Sequence, residues 1–226
     1  MSADYQDEGV DPEKVLNAVG DPEAFIEELR DAHRDRQLRR GMFIDSLSPE
    51  VKAEWIDGEA VYHSPAREAH NATVTGLSTM LNIYSTYKTE LYVRIEKAMT
   101  EVGSHNFEPD ICVFLASKHD FDAELMIYPV PDLAVEVLSK RTARRDLGTK
   151  KDEYAKGGTQ EYLVIDAREH TVTQFVQAGG HFVERGVLTE GDTLHSTLLP
   201  DLALPLRAIW DRLALAEYTR DLVVGA

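Results

Sequence analysis

The stretch that decides the fold is Pro131-Asp132-Leu133-Ala134-Val135-Glu136-Val137-Leu138-Ser139, with Arg144-Arg145-Asp146-Leu147-Gly148-Thr149-Lys150-Lys151-Asp152-Glu153-Tyr154 and then Glu161-Tyr162-Leu163-Val164-Ile165-Asp166 behind it. The first and last parts hold apolar runs of strand length. The middle reads as a helix over 142–156, ended by Gly157-Gly158 at the position where a left-handed residue closes a helix. A strand, a crossover helix and a second strand in so short a span predict a β-α-β unit. The fold class that follows is α/β, a mixed sheet covered by helices.

Upstream, Glu108-Pro109-Asp110-Ile111-Cys112-Val113-Phe114 puts Asp110 at the start of a strand over 111–115, and 91–95 reads as another. Asp57-Gly58, set between alternating apolar residues, predicts a hairpin over 54–62, because both turn positions need positive φ. A helix from about Pro65 to Tyr87 carries the stripe Val74, Leu77, Leu81 and Tyr84 at helical spacing. Downstream, Gly179-Gly180 marks a second hairpin, and the apolar tail Leu202 to Leu215 packs back on the body. Two copies of Asp-Pro-Glu, at 11–13 and 21–23, each offer an N-cap followed by proline at the first helical position. They predict two opening helices, the second running to Arg39 and Arg40. Residues 1–40 read as an acidic helical extension and 41–226 as the main domain.

The chain has 226 residues, 43% of them hydrophobic, which suits one well-buried domain of ordinary size. Its formal charge is -16, from 24 Lys+Arg against 40 Asp+Glu, and this opposes any role that coats a polyanion. The charge is uneven. Residues 1–29 hold nine acids and one base, whereas Lys140, Arg141, Arg144, Arg145, Lys150 and Lys151 face only Asp146 in 140–151, a local +5. A phosphate backbone can dock on such a cluster, although a solvated helix end can look similar. The acidic arm is expected to compete for it. A single cysteine, Cys112, excludes an internal disulfide, and no leader or membrane-length apolar run is visible, so a cytoplasmic protein without a membrane partner is expected.

Glu136 needs an explanation that a surface acid does not. On a strand it shares a face with Ala134 and Leu138, inside an apolar run, where a carboxylate must be paired, hydrogen-bonded or metal-bound. If the strands of Asp110 and Glu136 are neighbours, the two acids can converge on one hard cation such as Mg²⁺. A buried acid satisfied by a nearby base is the competing reading. On the following helix, Leu147 and Tyr154 lie on the sheet-facing side, with Lys150 and Lys151 between them. At least one lysine therefore lies near Glu136, and periodicity does not choose between the two. Such a lysine can stabilise charge building on phosphorus, or serve only as a salt bridge. His70 falls on the apolar stripe of the long helix, where a packed core histidine competes with a functional one. No Walker loop, dinucleotide fingerprint, paired-cysteine zinc motif or nucleophile elbow is present.

The serial order Glu54-x-x-Asp57-Gly58-Glu59, Ser64-Pro65, His70, Pro109-Asp110, Pro131-Asp132-Leu133-x-x-Glu136-Val137-Leu138-Ser139, Asp146-x-x-x-Lys150-x-x-x-Tyr154 and Glu161-Tyr162-x-x-x-Asp166 resembles the Uma-two family. That family belongs to the restriction endonuclease-like, PD-(D/E)XK superfamily. The resemblance runs from about Phe43 to Trp210 and implies a restriction endonuclease-like core with flanking helices and hairpins. It implies Asp110 and Glu136 as metal ligands, with the Val137 carbonyl completing the shell. The superfamily's usual lysine position, two residues after the glutamate, is Leu138 here. The family's migrated lysine matches Lys150, which settles that choice by resemblance, and His70 matches a position near the active site. At Leu163 many members carry Trp.

The function expected is a Mg²⁺- or Mn²⁺-dependent endonuclease acting on DNA, with Asp110, Glu136, Lys150 and His70 catalytic. Lys140, Arg141, Arg144, Arg145 and Lys151 would contact the backbone, and a homodimer is the expected assembly. The alternatives are a catalytically silent binding or scaffold protein on the same fold, or an enzyme for RNA or a small phosphoester.

Overall fold

The computed structural model describes residues 20–48, 50–199 and 201–225. The first of the two expected N-terminal helices lies outside them. The chain divides between Leu47 and Ser48 into two compact units. The first unit contains helix α1 (Pro22–Asp45), whose N-cap Asp21 accepts from the Ala24 amide with proline in the first turn. The helix does not stop on the basic turn at Arg39-Arg40. It continues through Gly41 to Asp45, and no basic residue stands in its last turn.

The second unit is built on a six-stranded sheet in the order β11-β10-β9-β8-β6-β3. These are β3 (Leu91–Ile95), β6 (Ile111–Leu115), β8 (Leu133–Val137), β9 (Glu161–Asp166), β10 (Thr171–Ala178) and β11 (His181–Thr189). A five-stranded sheet, β2-β1-β5-β4-β7, comprises β1 (Ala53–Ile56), β2 (Glu59–Tyr62), β4 (Met99–Val102), β5 (His105–Phe107) and β7 (Ile127–Tyr128). A short ribbon pairs β12 (Thr193–His195) with β13 (Ala203–Pro205). The helices are α2 (Glu68–Tyr87), α3 (Ala143–Asp146), α4 (Thr149–Gly157), α5 (Arg207–Trp210) and α6 (Arg212–Val224). No described helix is long and apolar enough to cross a membrane.

The turns behave as their residues require. Asp57 (φ 53°) and Gly58 (φ 85°) form the β1–β2 hairpin, and Gly179 and Gly180 turn β10 into β11 with φ of 63° and 87°. Strands β8 and β9 are parallel and joined through α3 and α4, the expected β-α-β unit, while β6 runs antiparallel to β8. The single helix expected over 142–156 is two pieces. A Cβ on Gly148 would lie 2.8 Å from the Arg144 carbonyl, and the glycine takes φ -118° and ψ -107°, which no helix continues through. The break corrects Leu147: it is turned outward, 44% exposed, and does not share Tyr154's buried face.

Alternation along β8 divides two cores. Leu133, Val135 and Val137 join Val74, Leu77, Met80, Leu81 and Tyr84 of α2 and the apolar tail, including Leu202, Leu204, Leu206 and Ile209. Ala134 faces the opposite way, toward Tyr154, Tyr162, Phe175, Phe107, Val102 and Ile56, with Leu138 at the edge. Glu136 occupies this second face, enclosed between the two sheets and α4. Burying aliphatic and aromatic side chains at about 25 cal/mol per Å² on both faces is what fixes the strand register.

Helix α2 reaches the first core only because Gly76 lets the Ile209 carbonyl approach its backbone; a Cβ there would collide with that group. Gly76→Ala is therefore expected to destabilise the protein by about 1–3 kcal/mol, as overpacking does, despite alanine's better helix propensity. Urea unfolding checks this, and an unchanged or raised midpoint would contradict it.

Candidate active site

The face of β1 that carries Ile56 also carries Glu54 and, one residue before the strand, Lys52, because side chains alternate. The antiparallel pairing of Ile111 with Val135 brings Asp110, at the start of β6, alongside Glu136 on β8. Helix α4 then lowers Lys150 into the space between the sheets. Five acids here are buried, Glu54, Glu108, Asp110, Glu136 and Asp146, and so is Lys150.

Lys150 is the centre of one half of the site. Its Nζ lies 2.9 Å from Glu136 Oε1, 2.8 Å from Glu54 Oε1 and 3.7 Å from Asp146 Oδ1. Glu54 is further held by the Glu108 amide at 2.8 Å and by His63 Nε2 at 2.7 Å from its other oxygen. Burial alone would push the Glu54 carboxyl up, but the Lys150 ammonium and then His63 outweigh it and hold the group at about 2. For Glu136 burial wins. Its carboxyl is pushed well above the usual range, Lys150 offsets only part of this, and Asp146 and Asp110 add repulsion. Asp146 is raised for the same first reason. Burial disfavours the Lys150 ammonium, yet the surrounding Glu136, Glu54 and Asp146 raise it well above an ordinary lysine. Three acids around one lysine leave the cluster short of positive charge, and burial raises Glu136 and Asp146 rather than Glu54.

Asp110 is the centre of the other half. Its Oδ2 accepts from the Val137 amide at 2.8 Å, and its Oδ1 lies 2.8 Å from Lys52 Nζ and 3.4 Å from His70 Nε2. Against the cost of burial, His70 and Lys52 hold the Asp110 carboxyl well below its usual range. His70 is moved up in turn: burial disfavours its cation, but Asp110 more than compensates. It is partly exposed and stands 3.7 Å from Glu96 Oε1, so it is not a core histidine. Glu96 is aimed there by a left-handed pair, Glu96 (φ 39°) and Lys97 (φ 50°), between β3 and β4.

Among the described residues, His70, Glu96 and Asp110 each offer one ligand atom, and these lie within 4.8 Å of one another, close enough for one divalent ion to bridge. Glu136 lies outside this trio, with Lys150. The donor set still fits a hard cation. Acids outnumber the lysines, and Glu108 Oε2 is buried without a hydrogen-bond partner.

Lys140 and Arg141, on the turn after β8, and Arg144 and Arg145, on α3, are exposed. Arg141 donates to Ser64 Oγ at 2.9 Å. Lys151 instead lays its ammonium over the Phe175 ring, 5.2 Å from the centroid. Sequence reasoning missed Lys52 and Glu96, gave His63 only a weak signal, and quoted Glu54 in the family pattern without a role at the site. The argument that singled out Glu136, an acid on the apolar face of a strand, applies equally to Glu54. Cys112 is buried, and its thiol is pushed up by that burial, as an inert strand residue should be.

The family described as "Putative restriction endonuclease" (Uma2) matches residues 41–207. A solved structure of a "putative nuclease belonging to DUF820" from Anabaena variabilis ATCC 29413 superposes at a TM-score of 0.64 and 21% identity, covering 78% of this chain and 96% of that one. That likeness establishes a restriction endonuclease-like fold. The type IIG restriction endonuclease BpuSI matches at a TM-score of 0.38 and 15% identity, over 73% of this chain and 18% of its own, too slight a likeness to carry an argument. No curated protein matches the chain.

The charge arrangement has a measurable consequence. Lys150→Met leaves buried acids without their cation and is expected to cost about 3–5 kcal/mol, whereas Glu136→Gln, which keeps the side chain's shape and removes one acid from an acid-rich cluster, costs about 1 kcal/mol or less. Denaturant unfolding of both variants measures the two costs. Equal costs would contradict this excess of acid over base around Lys150.

Proposed function

The chain belongs to the Uma2 family, and from that premise we propose that it is a divalent-metal-dependent endonuclease hydrolysing DNA phosphodiesters at Asp110, Glu136 and Lys150. The observation that carries this reading is two buried acids on adjacent antiparallel strands, with a lysine ammonium 2.9 Å from one of them. A structural salt bridge needs one acid per base. Here acids are in excess and cluster at the ends of the strands that form the sheet.

Asp110 is the ligand common to both ways of holding an ion: with Glu136 and the Val137 carbonyl, or with His70 and Glu96. Mg²⁺ or Mn²⁺ supplies a bound water of lowered pKa and polarises the phosphoryl oxygen. The Val137 amide, donating to Oδ2, orients the Asp110 carboxylate, and Oδ1 is the oxygen beside Lys52 and His70. Lys150 stays an ammonium among its acids, so it donates to the attacking water or to a phosphoryl oxygen and does not act as the base. His70, beside Asp110 and partly exposed, is placed to take up the proton or to bind the ion. Water attacks phosphorus and gives up a proton to His70 or to solvent, the P–O bond to the leaving sugar oxygen breaks, and that oxygen takes up a proton from solvent. Lys140, Arg141, Arg144 and Arg145 give the backbone a local positive surface on a protein of charge -16, so binding is weak and steeply salt-dependent.

Purified protein with Mg²⁺ or Mn²⁺ is expected to nick or cut plasmid DNA and to stop on adding EDTA. Asp110→Ala, Glu136→Gln and Lys150→Ala should each lower the rate roughly 100-fold or more. Cleavage that survives all three substitutions, or no cleavage with either ion, contradicts the proposal. Cleavage of RNA or a small phosphodiester alone would keep the site and change the substrate.

A further inference from the structure

Two lysines enter the site, and their surroundings differ. Lys150 is held by Glu54, Glu136 and Asp146, with its side chain 3% exposed, so its ammonium has no freedom to leave. Among the described residues Lys52 makes one ion pair, to Asp110 Oδ1 at 2.8 Å, and its side chain is 19% exposed. Its backbone is anchored, since the Lys52 carbonyl accepts from the His63 amide at 3.0 Å, while four methylenes leave the ammonium able to swing.

The atom it touches is the important one. Asp110 Oδ2 already accepts from the Val137 amide, so Oδ1 is the less encumbered oxygen, and it lies 3.4 Å from His70 Nε2, which stands 3.7 Å from Glu96 Oε1. An ammonium and a divalent ion on one carboxylate oxygen repel each other at close range in a poorly solvated site. The two therefore exclude each other there. The displaced ammonium would stand at the mouth of the site, where a substrate phosphate must arrive, and a flexible point charge suits that ligand.

Resting on the metal-dependent reading above, we propose that Lys52 is an exchangeable lysine. It caps Asp110 Oδ1 in the metal-free protein and passes to a substrate phosphate oxygen when a divalent ion takes that carboxylate. Lys150 is the fixed cation of the site and Lys52 the mobile one. No bond is made or broken in the exchange; one ion pair replaces another.

Calorimetric titration of the full chain with Mn²⁺ tests the first half. Lys52→Met should bind Mn²⁺ at least tenfold more tightly than the wild type, and Lys52→Arg, which keeps the charge, should stay near the wild type. A lysine that merely holds Asp110 in place would give the opposite sign, weaker binding on its loss. The second half is read from binding to a phosphorothioate-linked duplex with Mn²⁺ present, over a range of salt concentrations. Lys52→Met should lower the slope of log affinity against log salt by about one relative to the wild type.

Mn²⁺ affinity that is unchanged or weaker in Lys52→Met, or an unchanged salt slope, overturns the exchange. If Lys52→Met does not fold, Lys52→Gln serves in its place. If wild type binds Mn²⁺, Asp110→Ala does not, and Lys52→Met equals wild type, only the Lys52 proposal fails. If none of the proteins, Lys52→Met included, binds Mn²⁺, the metal-dependent reading fails with it.

Discussion

A lysine ammonium buried between two sheets is the constraint on which the rest of the second unit depends. Lys150 enters on α4, meets Glu136 on β8 of the six-stranded sheet and Glu54 on β1 of the five-stranded sheet, and has Asp146 one turn earlier. Desolvating one ammonium costs several kcal/mol unless carboxylates surround it. The sheets, the crossover helix and the site acids must therefore come together for any of them to be stable there. Packing around this point is aromatic, with Phe107, Tyr154, Tyr162 and Phe175 in sequence, which keeps water away from the ion pairs and strengthens them.

The same constraint sets the chemistry. Lys150 cannot satisfy all its acids, so Glu54 is ionised while Glu136 and Asp146 are pushed toward their neutral forms. A site that is short of positive charge, with Asp110 held ionised next door, is prepared for a cation. Lys52 and His70 supply part of that charge to Asp110 without burying themselves fully. Rigidity and openness are thus divided between the two halves: the Glu54–Lys150–Glu136 cluster is enclosed, whereas Lys52 and His70, beside the buried Asp110, stay partly exposed.

Much of this was legible in the sequence because it follows from period and turn chemistry. Strands β3 and β6 fall on their apolar runs, Asp57-Gly58 and Gly179-Gly180 make their hairpins, and Glu136 lies on the face of Ala134 and Leu138. What failed was non-local. The break at Gly148 depends on the distance to the Arg144 carbonyl, which no periodicity encodes, and an unbroken helix misplaced Leu147 while still burying Lys150. Lys52, Glu54 and Glu96 come from segments far from Glu136 in the chain, and only the pairing of β1 with β5 and the left-handed turn at Glu96-Lys97 bring them in. Even so, Glu54 offered a local signal: an acid two residues from Ile56 on one strand face.

The central claim is that these acids form one cation site beside a fixed lysine. The most direct measurement is anomalous diffraction from crystals of the protein soaked in Mn²⁺. The account predicts a peak in contact with the Asp110 carboxylate, with Lys150 still paired to Glu54 and with Lys52 moved off Asp110. No peak at Asp110 in crystals that take up Mn²⁺ elsewhere, or a peak that displaces Lys150 from its acids, would contradict it.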